Sequence, residues 1–281
     1  MIKICLRSCA AALLLFLLVS LFGCATPDAA LRVEVLDVGQ SDCSLIVQGE
    51  SVLMIDTGSA TERAAVQAAL RRLGIEQIDY LVLTHPHEDH IGNARMLIET
   101  YTVGALIVPP IEAEELVYEL VLQAAERCSV PVHRVGAGDD FSLGSAAVEI
   151  LQAGSLAEDP NNSSLVLHIR YGSTAFLFTG DNEIDGEGRL LHAVPSEQLD
   201  CDWLKAGHHG SENATSAELL AAVTPKYVAV SCGAENSYGF PHAKLLARVQ
   251  EAGAQCHRTD TEGDLRYFSD GYDVWFDDER G

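Results

Sequence analysis

The chain has 281 residues, 48% of them hydrophobic and 21% charged, proportions of an ordinary globular protein with a large core that exclude a disordered or fibrous chain. Its formal net charge is −23, from 18 bases against 41 acids. A surface of that sign repels polyanions at long range and excludes tight binding of long duplex DNA, although cations bound in a cleft can still reverse the field locally.

Lys3 and Arg7 precede an apolar run over 10–22 that ends at Gly23-Cys24. A basic start, a short apolar middle and a small residue at the end describe a secretory signal over 1–24. The run is shorter than the roughly 20 apolar residues of a membrane span. Leu21-Phe22-Gly23-Cys24 also resembles the bacterial lipobox, although Phe22 stands where that motif usually carries a small residue. The resemblance implies lipidation of Cys24, a tether over 25–30, and a body over 31–281 that is secreted and membrane-anchored on the extracytoplasmic side. Each acyl chain adds about 0.8 kcal/mol per buried methylene, so several chains hold where one does not. A plain signal cut nearby or an uncleaved N-terminal helix is the alternative. Removing the signal takes away only bases and leaves the body at −25. Five cysteines remain (Cys43, Cys128, Cys201, Cys232 and Cys256), an odd number, widely spaced and without a CxxC pair. They read as free and mostly buried thiols, not as a disulfide framework or a zinc–thiolate site.

From residue 31 the pattern is short strands with interspersed helices. Strands are expected at 32–38, 44–47 and 52–55, the last two joined by a hairpin turn at 48–51. A helix follows over 61–73 with Gly74 as its C-cap, then a continuous apolar strand at 78–83. Next come a helix at 92–99, a strand at 105–108, and a helix at 112–127 with acids in its first turn, where they suit the helix dipole. Strands follow at 131–135, 146–151, 165–170, 175–178 and 203–205. The chain closes with a helix at 216–223, a strand at 227–231, a helix at 243–252 and hairpin strands near 265–268 and 273–276. No linker or repeat interrupts this series, which suggests a single domain of two packed sheets covered by helices.

The chemistry concentrates in Thr84-His85-Pro86-His87-Glu88-Asp89-His90, directly after an apolar strand. Alternate residues on an extended turn point the same way, so His85 and His87 can chelate one ion, and Asp89 and His90 can turn toward a second. Imidazoles and carboxylates without thiolates suit Zn²⁺ or Mn²⁺. A solvated, His-rich loop is the competing reading, but burying several unliganded rings in one turn would leave polar atoms without partners.

This motif resembles the metal motif of the metallo-β-lactamase superfamily. The resemblance extends through residues 36–42, 53–58, 161–167, 178–181, 204–211 and 236–242, and together these are similar to the C-terminal domain of ComEC-type competence proteins. It implies an α/β fold, a four-layer αββα sandwich, with two divalent metal ions, Zn or Mn, activating a bridging water. Residue by residue, it implies His85 and His87 on the first ion and Asp89 and His90 on the second. Asp181 would bridge the two, and His208 would be the last ligand. Asp89 would also orient the water, and Asp56 would hold the motif loop. Most of the superfamily supplies a third histidine to the first ion, and here Asn161-Asn162-Ser163-Ser164 stands in that place. Asn162 and Ser163 are therefore candidates beside the ions. His133 and His168 are possible substitutes that read better as edge or core histidines. Lys205 and His209 are candidates to bind an anionic substrate or transition state. Ser211 is a candidate support, and His242 either reaches the site or caps a helix. Asp42 either supports the site or steadies its own turn, and Tyr238 reads as a core aromatic.

ComEC-type domains are implicated in degrading one DNA strand during uptake, so the resemblance implies a phosphodiesterase or nuclease-like hydrolase. The acidic body favours a small-molecule phosphodiester or a nucleotide as substrate over long duplex DNA. A carboxyl-type hydrolase of a lactone, thioester or lactam is the second reading, and a non-catalytic surface lipoprotein the third.

Overall fold

The computed structural model describes residues 30–154 and 159–278. The expected signal, its lipidated Cys24 and the tether up to residue 29 lie outside them. Among the described residues fifteen strands form two sheets. The first holds β1 (Leu31–Val35), β2 (Ser44–Gln48), β3 (Ser51–Ile55), β4 (Gln77–Val82), β5 (Thr102–Val108), β6 (Val132–Arg134), β14 (Leu265–Ser269) and β15 (Val274–Phe276), in the order β15-β14-β1-β2-β3-β4-β5-β6. The second holds β7 (Asp140–Leu143), β8 (Ala146–Gln152), β9 (Val166–Tyr171), β10 (Thr174–Phe178), β11 (Trp203–Lys205), β12 (Tyr227–Val230) and β13 (Gln255–Arg258), in the order β13-β12-β11-β10-β9-β8-β7.

Alternation along the strands sorts the apolar side chains into three layers. Val33, Ile46, Leu53, Leu167, Phe176, Trp203 and Tyr267 fill the space between the sheets. Leu45, Met54 and Leu81 point the other way, onto the helices Arg63–Leu73, Ala94–Thr100 and Leu116–Arg127. Leu177, Leu204 and Val228 do the same for the helices Ile184–Ala193, Ala217–Val223 and Ala243–Glu251. The result is the αββα sandwich.

Gly74 closes its helix in the left-handed conformation, as expected of a C-cap. The helix expected over 112–127 starts only at Leu116, so Glu112 and Glu114 lie ahead of it. Among the described residues no helix is long and apolar enough to cross a membrane. Among the described residues the five cysteines are free, with Cys43, Cys201 and Cys232 buried and Cys128 exposed.

Strand direction builds the site. β3 runs parallel to β4, and β10, β11 and β12 run parallel to one another. Their carboxyl ends therefore open on one edge of the sandwich, where the loops after them carry Asp56, His85, Asp181, His208 and Ser231. Open α/β sheets bind ligands at such ends because the loops there converge. A backbone bond stitches the two sheets across that edge, from Leu165 N to Thr84 O at 3.0 Å, and another ties two loops of the first sheet, from Asp42 N to Asp89 O at 3.1 Å.

Candidate metal centre

The turn after β4 places His85 and His90 in full burial, their rings 4.1 Å apart. Asp181, after β10, is equally buried and faces both: its Oδ1 is 3.2 Å from His90 Nε2, and its Oδ2 is 3.9 Å from His85 Nε2. His87 brings Nδ1 to 3.1 Å from His85 Nε2. On the far side, His209 Nε2 lies 3.3 Å from Asp89 Oδ2 and 3.7 Å from Asp181 Oδ2, and His208 Nε2 lies 3.8 Å from Asp181 Oδ2. Bonds of about 2.0–2.2 Å to a tetrahedral cation set its ligands roughly 3.3 Å apart, the scale of these spacings. Among the described residues four sets of side chains could hold an ion here: His85–His90–Asp181, Asp89–His90–His209, Asp42–Asp56–His90 and Asp42–Asp181–His209.

The hydrogen bonds decide how the rings present themselves. His90 Nδ1–H donates to Asp56 Oδ2 at 2.8 Å, His208 Nδ1–H to Glu183 Oε1 at 2.9 Å, and His209 Nδ1–H to the Ser231 carbonyl at 3.1 Å. His85 Nδ1 meets Thr84 Oγ1 at 3.1 Å, and that hydroxyl donates to Asp56 Oδ2 at 2.7 Å, so the ring is the donor. Each of these four imidazoles thus spends Nδ1–H on the protein and turns Nε2 toward Asp181. Fixing the tautomer in this way prepares a histidine for a metal. His90 Nε2 and Asp181 Oδ1 are buried with no hydrogen-bond partner, which a cation between them would remedy.

Backbone strain is present at the same place. Asp56, His208 and His209 all take positive φ, at 57°, 44° and 51°. Each such non-glycine residue costs about 1–3 kcal/mol, a penalty that persists where surrounding contacts over-determine the geometry. The charges of the cluster hold one another. Burial disfavours a charged His90 and His209, yet Asp181, with Asp56 and Asp42, keeps the His90 imidazole well above its ordinary range and raises His209 to about 10. Asp181 is buried too, but the imidazoles of His90 and His209 hold its carboxyl well below the usual range. Burial, reinforced by neighbouring His90, pushes His85 down. Without thiolates, this nitrogen and oxygen donor set fits a borderline or hard divalent cation.

The sequence profile of the metallo-beta-lactamase superfamily matches residues 36–234. The chain belongs to that superfamily. Its members are generally metal-dependent hydrolases, and this metallo-beta-lactamase domain has ComEC-like relatives. ComE operon protein 3 of Bacillus subtilis is 33% identical over 258 residues, covering 84% of this chain and 33% of that protein. The chain therefore spans about a third of the length of that relative. A hydroxyacylglutathione hydrolase of Stenotrophomonas maltophilia is 27% identical over 209 residues, covering 74% of this chain and 69% of that protein. Among solved structures, the metallo-beta-lactamase fold protein YhfI from Bacillus subtilis superposes with a TM-score of 0.56 at 12% identity, covering 88% of this chain and all of that one.

Within this metallo-beta-lactamase domain the expected residues do not all meet. His85, His87, Asp89, His90, Asp181 and His208 converge as described, and Asp56 braces the motif loop, accepting the Thr84 N–H at 2.8 Å. His209, expected at the substrate, packs into the cluster beside Asp89, while His208 lies nearer its rim with its side chain 25% exposed. Lys205, expected at an anionic substrate, is turned inward. It is buried, its Nζ 2.7 Å from Asp42 Oδ2, and Asp42 Oδ1 is 3.4 Å from His209 Nδ1. Lys205 thus neutralises the carboxylate behind His209. Burial opposes the charge on Asp42, but Lys205 holds its carboxyl below the ordinary range.

Neither Asn162 nor Ser163 takes the part of a third histidine. Ser164 Oγ accepts the Asp181 N–H at 3.1 Å and lies 3.4 Å from His85 Nδ1. Asn162 Oδ1 accepts the N–H groups of Glu183 and Gly186, each at 3.1 Å, and so braces the loop that carries Asp181. Ser163 hydroxyl donates to the Pro160 carbonyl at 2.6 Å, away from the cluster. Ser211 Oγ accepts the Asn213 N–H, and His242 Nδ1 accepts the Glu212 N–H, so both fix loops instead of lining the cluster. His133 sits exposed on the edge strand β6, and His168 is buried on β9, paired across to Glu149 and Leu177. Glu183, Ser231 and Ser164 were not anticipated. The signal for Ser164 was its place inside the 161–167 motif, and for Glu183 and Ser231 proximity to a matched motif.

Proposed function

We propose that the chain is a phosphodiester hydrolase working with two divalent cations, Zn²⁺ or Mn²⁺, gathered around Asp181. His85 and His87 would hold one cation, and Asp89, His90 and His209 the other, with Asp181 shared and His208 at the rim. The observation that carries this reading is the common orientation of four imidazoles, each with Nδ1–H blocked and Nε2 turned to one buried carboxylate. When bound, such cations acidify water and neutralise charge on the attacked group and leaving oxygen. The chain's own residues set the geometry. Asp56, Glu183 and the Ser231 carbonyl fix the rings, and the Lys205–Asp42 pair backs His209. Asp89, with 37% of its side chain exposed, is the cluster carboxylate that reaches solvent and can orient a water there.

Similarity to ComE operon protein 3 and the shared carboxylate support phosphoryl chemistry. The net charge of −23 supports a small phosphodiester or nucleotide over long duplex DNA. Similarity to a hydroxyacylglutathione hydrolase supports a second reading, cleavage of a carboxyl-type bond such as a thioester at the same cluster. The test is turnover of bis-p-nitrophenyl phosphate against nitrocefin and panels of lactones and thioesters, with metal content measured in parallel. Hydrolysis of the phosphodiester alone supports the first reading. Thioester or lactone turnover without it replaces the first by the second. The lipobox-like stretch supports anchoring at the extracytoplasmic membrane surface, which fatty-acid labelling lost in Cys24→Ala would bear out.

A further inference from the structure

Tyr238, read from sequence as a core residue, is 65% exposed. Its ring lies nearly parallel to that of Phe240, with centroids 5.4 Å apart and planes 18° apart. Phe240 in turn stands edge-on to His208 at 5.6 Å, and His208 Nε2 is 3.8 Å from Asp181 Oδ2. One face of Tyr238 is thus covered by Phe240, and the other opens to solvent beside the cluster.

The loop that presents the ring is pinned. Asn236 Nδ2 donates to the carbonyls of Gly233 at 2.8 Å and Phe240 at 2.7 Å, while its Oδ1 accepts the N–H groups of Tyr238 and Phe240. His242 Nε2–H donates to the Tyr238 carbonyl at 3.2 Å. Gly210 lets Pro241 approach, since a Cβ there would fall 2.6 Å from Pro241 Cβ. An aromatic held open by so many polar bonds is pre-organised, and pre-organisation spares the ordering cost of binding. Cationic recognition is not on offer from Lys205, which is spent on Asp42.

We propose that Tyr238, backed by Phe240, is a stacking platform for the nucleobase of a phosphodiester substrate whose phosphate faces Asp181. This rests on the phosphodiester reading and narrows it to nucleotides. Stacking suits such a substrate because every base has a π-face, whereas the acidic body offers a polyanion no charged track. A base must leave its helix to stack, so the platform favours short or unpaired nucleic acid.

The test compares a thymidine dinucleotide with the analogue in which one base is replaced by an abasic tetrahydrofuran. In the wild type, kcat/KM for the base-bearing ester exceeds that for the abasic one by about ten-fold or more. Tyr238→Ala erases that ratio and Tyr238→Trp keeps it. An equal loss on both esters, or an unchanged ratio, overturns the platform. Should neither ester be hydrolysed, the phosphodiester reading falls, and binding decides the platform separately. Thymidine 5′-monophosphate bound at least about ten-fold tighter than deoxyribose 5-phosphate, in wild type but not in Tyr238→Ala, supports it. Equal affinities overturn it.

Discussion

On the His90 flank of Asp181 the rings are keyed by strong acceptors: Asp56 holds His90, the Ser231 carbonyl holds His209, and Glu183 holds His208. On the His85 flank the keys are hydroxyls, Thr84 and Ser164, and His87 Nδ1 meets His85 Nε2, another ring of the cluster. One flank is braced by carboxylates and a carbonyl, the other by neutral groups that hold a ring less firmly. The difference predicts two cations of unequal affinity, with the tighter one beside His90 and Asp89.

The largest expected effect comes from removing what the flanks share. Asp181→Asn keeps the shape but loses the charge facing His85, His90, His208 and His209. Several kcal/mol of stabilisation by the ions depends on it, so turnover should fall about a thousand-fold or more. Circular dichroism should stay native. Unchanged turnover in a folded variant would sink the shared-carboxylate mechanism on both flanks at once.

A smaller change sharpens the asymmetry itself. Dialysed wild type should retain one ion per chain and regain the second on addition of Zn²⁺ or Mn²⁺, as read by elemental analysis and titration calorimetry. Asp56→Asn should weaken the tighter ion about 10- to 100-fold, the usual effect of losing a partner that orients a ligand. Asp56 reaches His85 only through Thr84, so the weaker ion should lose less and the two affinities should draw together. Two equal affinities in the wild type would show that the braces do not matter.

Much of this site was legible because its densest part is contiguous. His85, His87, Asp89 and His90 lie within six residues after an apolar strand, and burial of that turn follows from β4 being a core strand. The sandwich was legible from strand patterning and motif order together. What was hidden depended on partners far away in sequence. The buried Lys205 ends a strand whose three residues are all buried, and nothing local reveals that Asp42, in the loop between β1 and β2, awaits it. Tyr238 reads as a core aromatic from its residue type, and nothing local reveals that its ring is exposed. The helix Ile184–Ala193 escaped because Gly186 and Gly188 weaken its signal. The structure gives Gly186 a reason: a Cβ there would collide with the side chains of Asn182 and Asn162 that brace the Asp181 loop. β13, Gln255–Arg258, was missed because its side chains are at best half-buried and no alternation marks it.

The last effect is one of pH, and in metal-free protein the two flanks should respond with opposite slopes. On the His90 flank, burial alone would lower His209, but Asp181 and Asp42 raise it to about 10, above the 6.5 of a free imidazole. A histidine raised on folding stabilises fully below pH 6.5, and that contribution drains away as pH climbs through 10. His90 is raised as well and acts in the same direction. On the other flank, burial and His90 hold His85 below 6.5, so the unfolded chain binds a proton that the folded one refuses. Stability from His85 is therefore present above pH 6.5 and lost as the pH falls below it. Urea unfolding of chelator-treated protein should accordingly show a maximum near pH 6.5. Restoring the cations should flatten the alkaline limb, because ions then occupy the places that protons held. An alkaline limb that is flat without metal, or equally steep with it, would mean that His90 and His209 are not the groups that meet the cation.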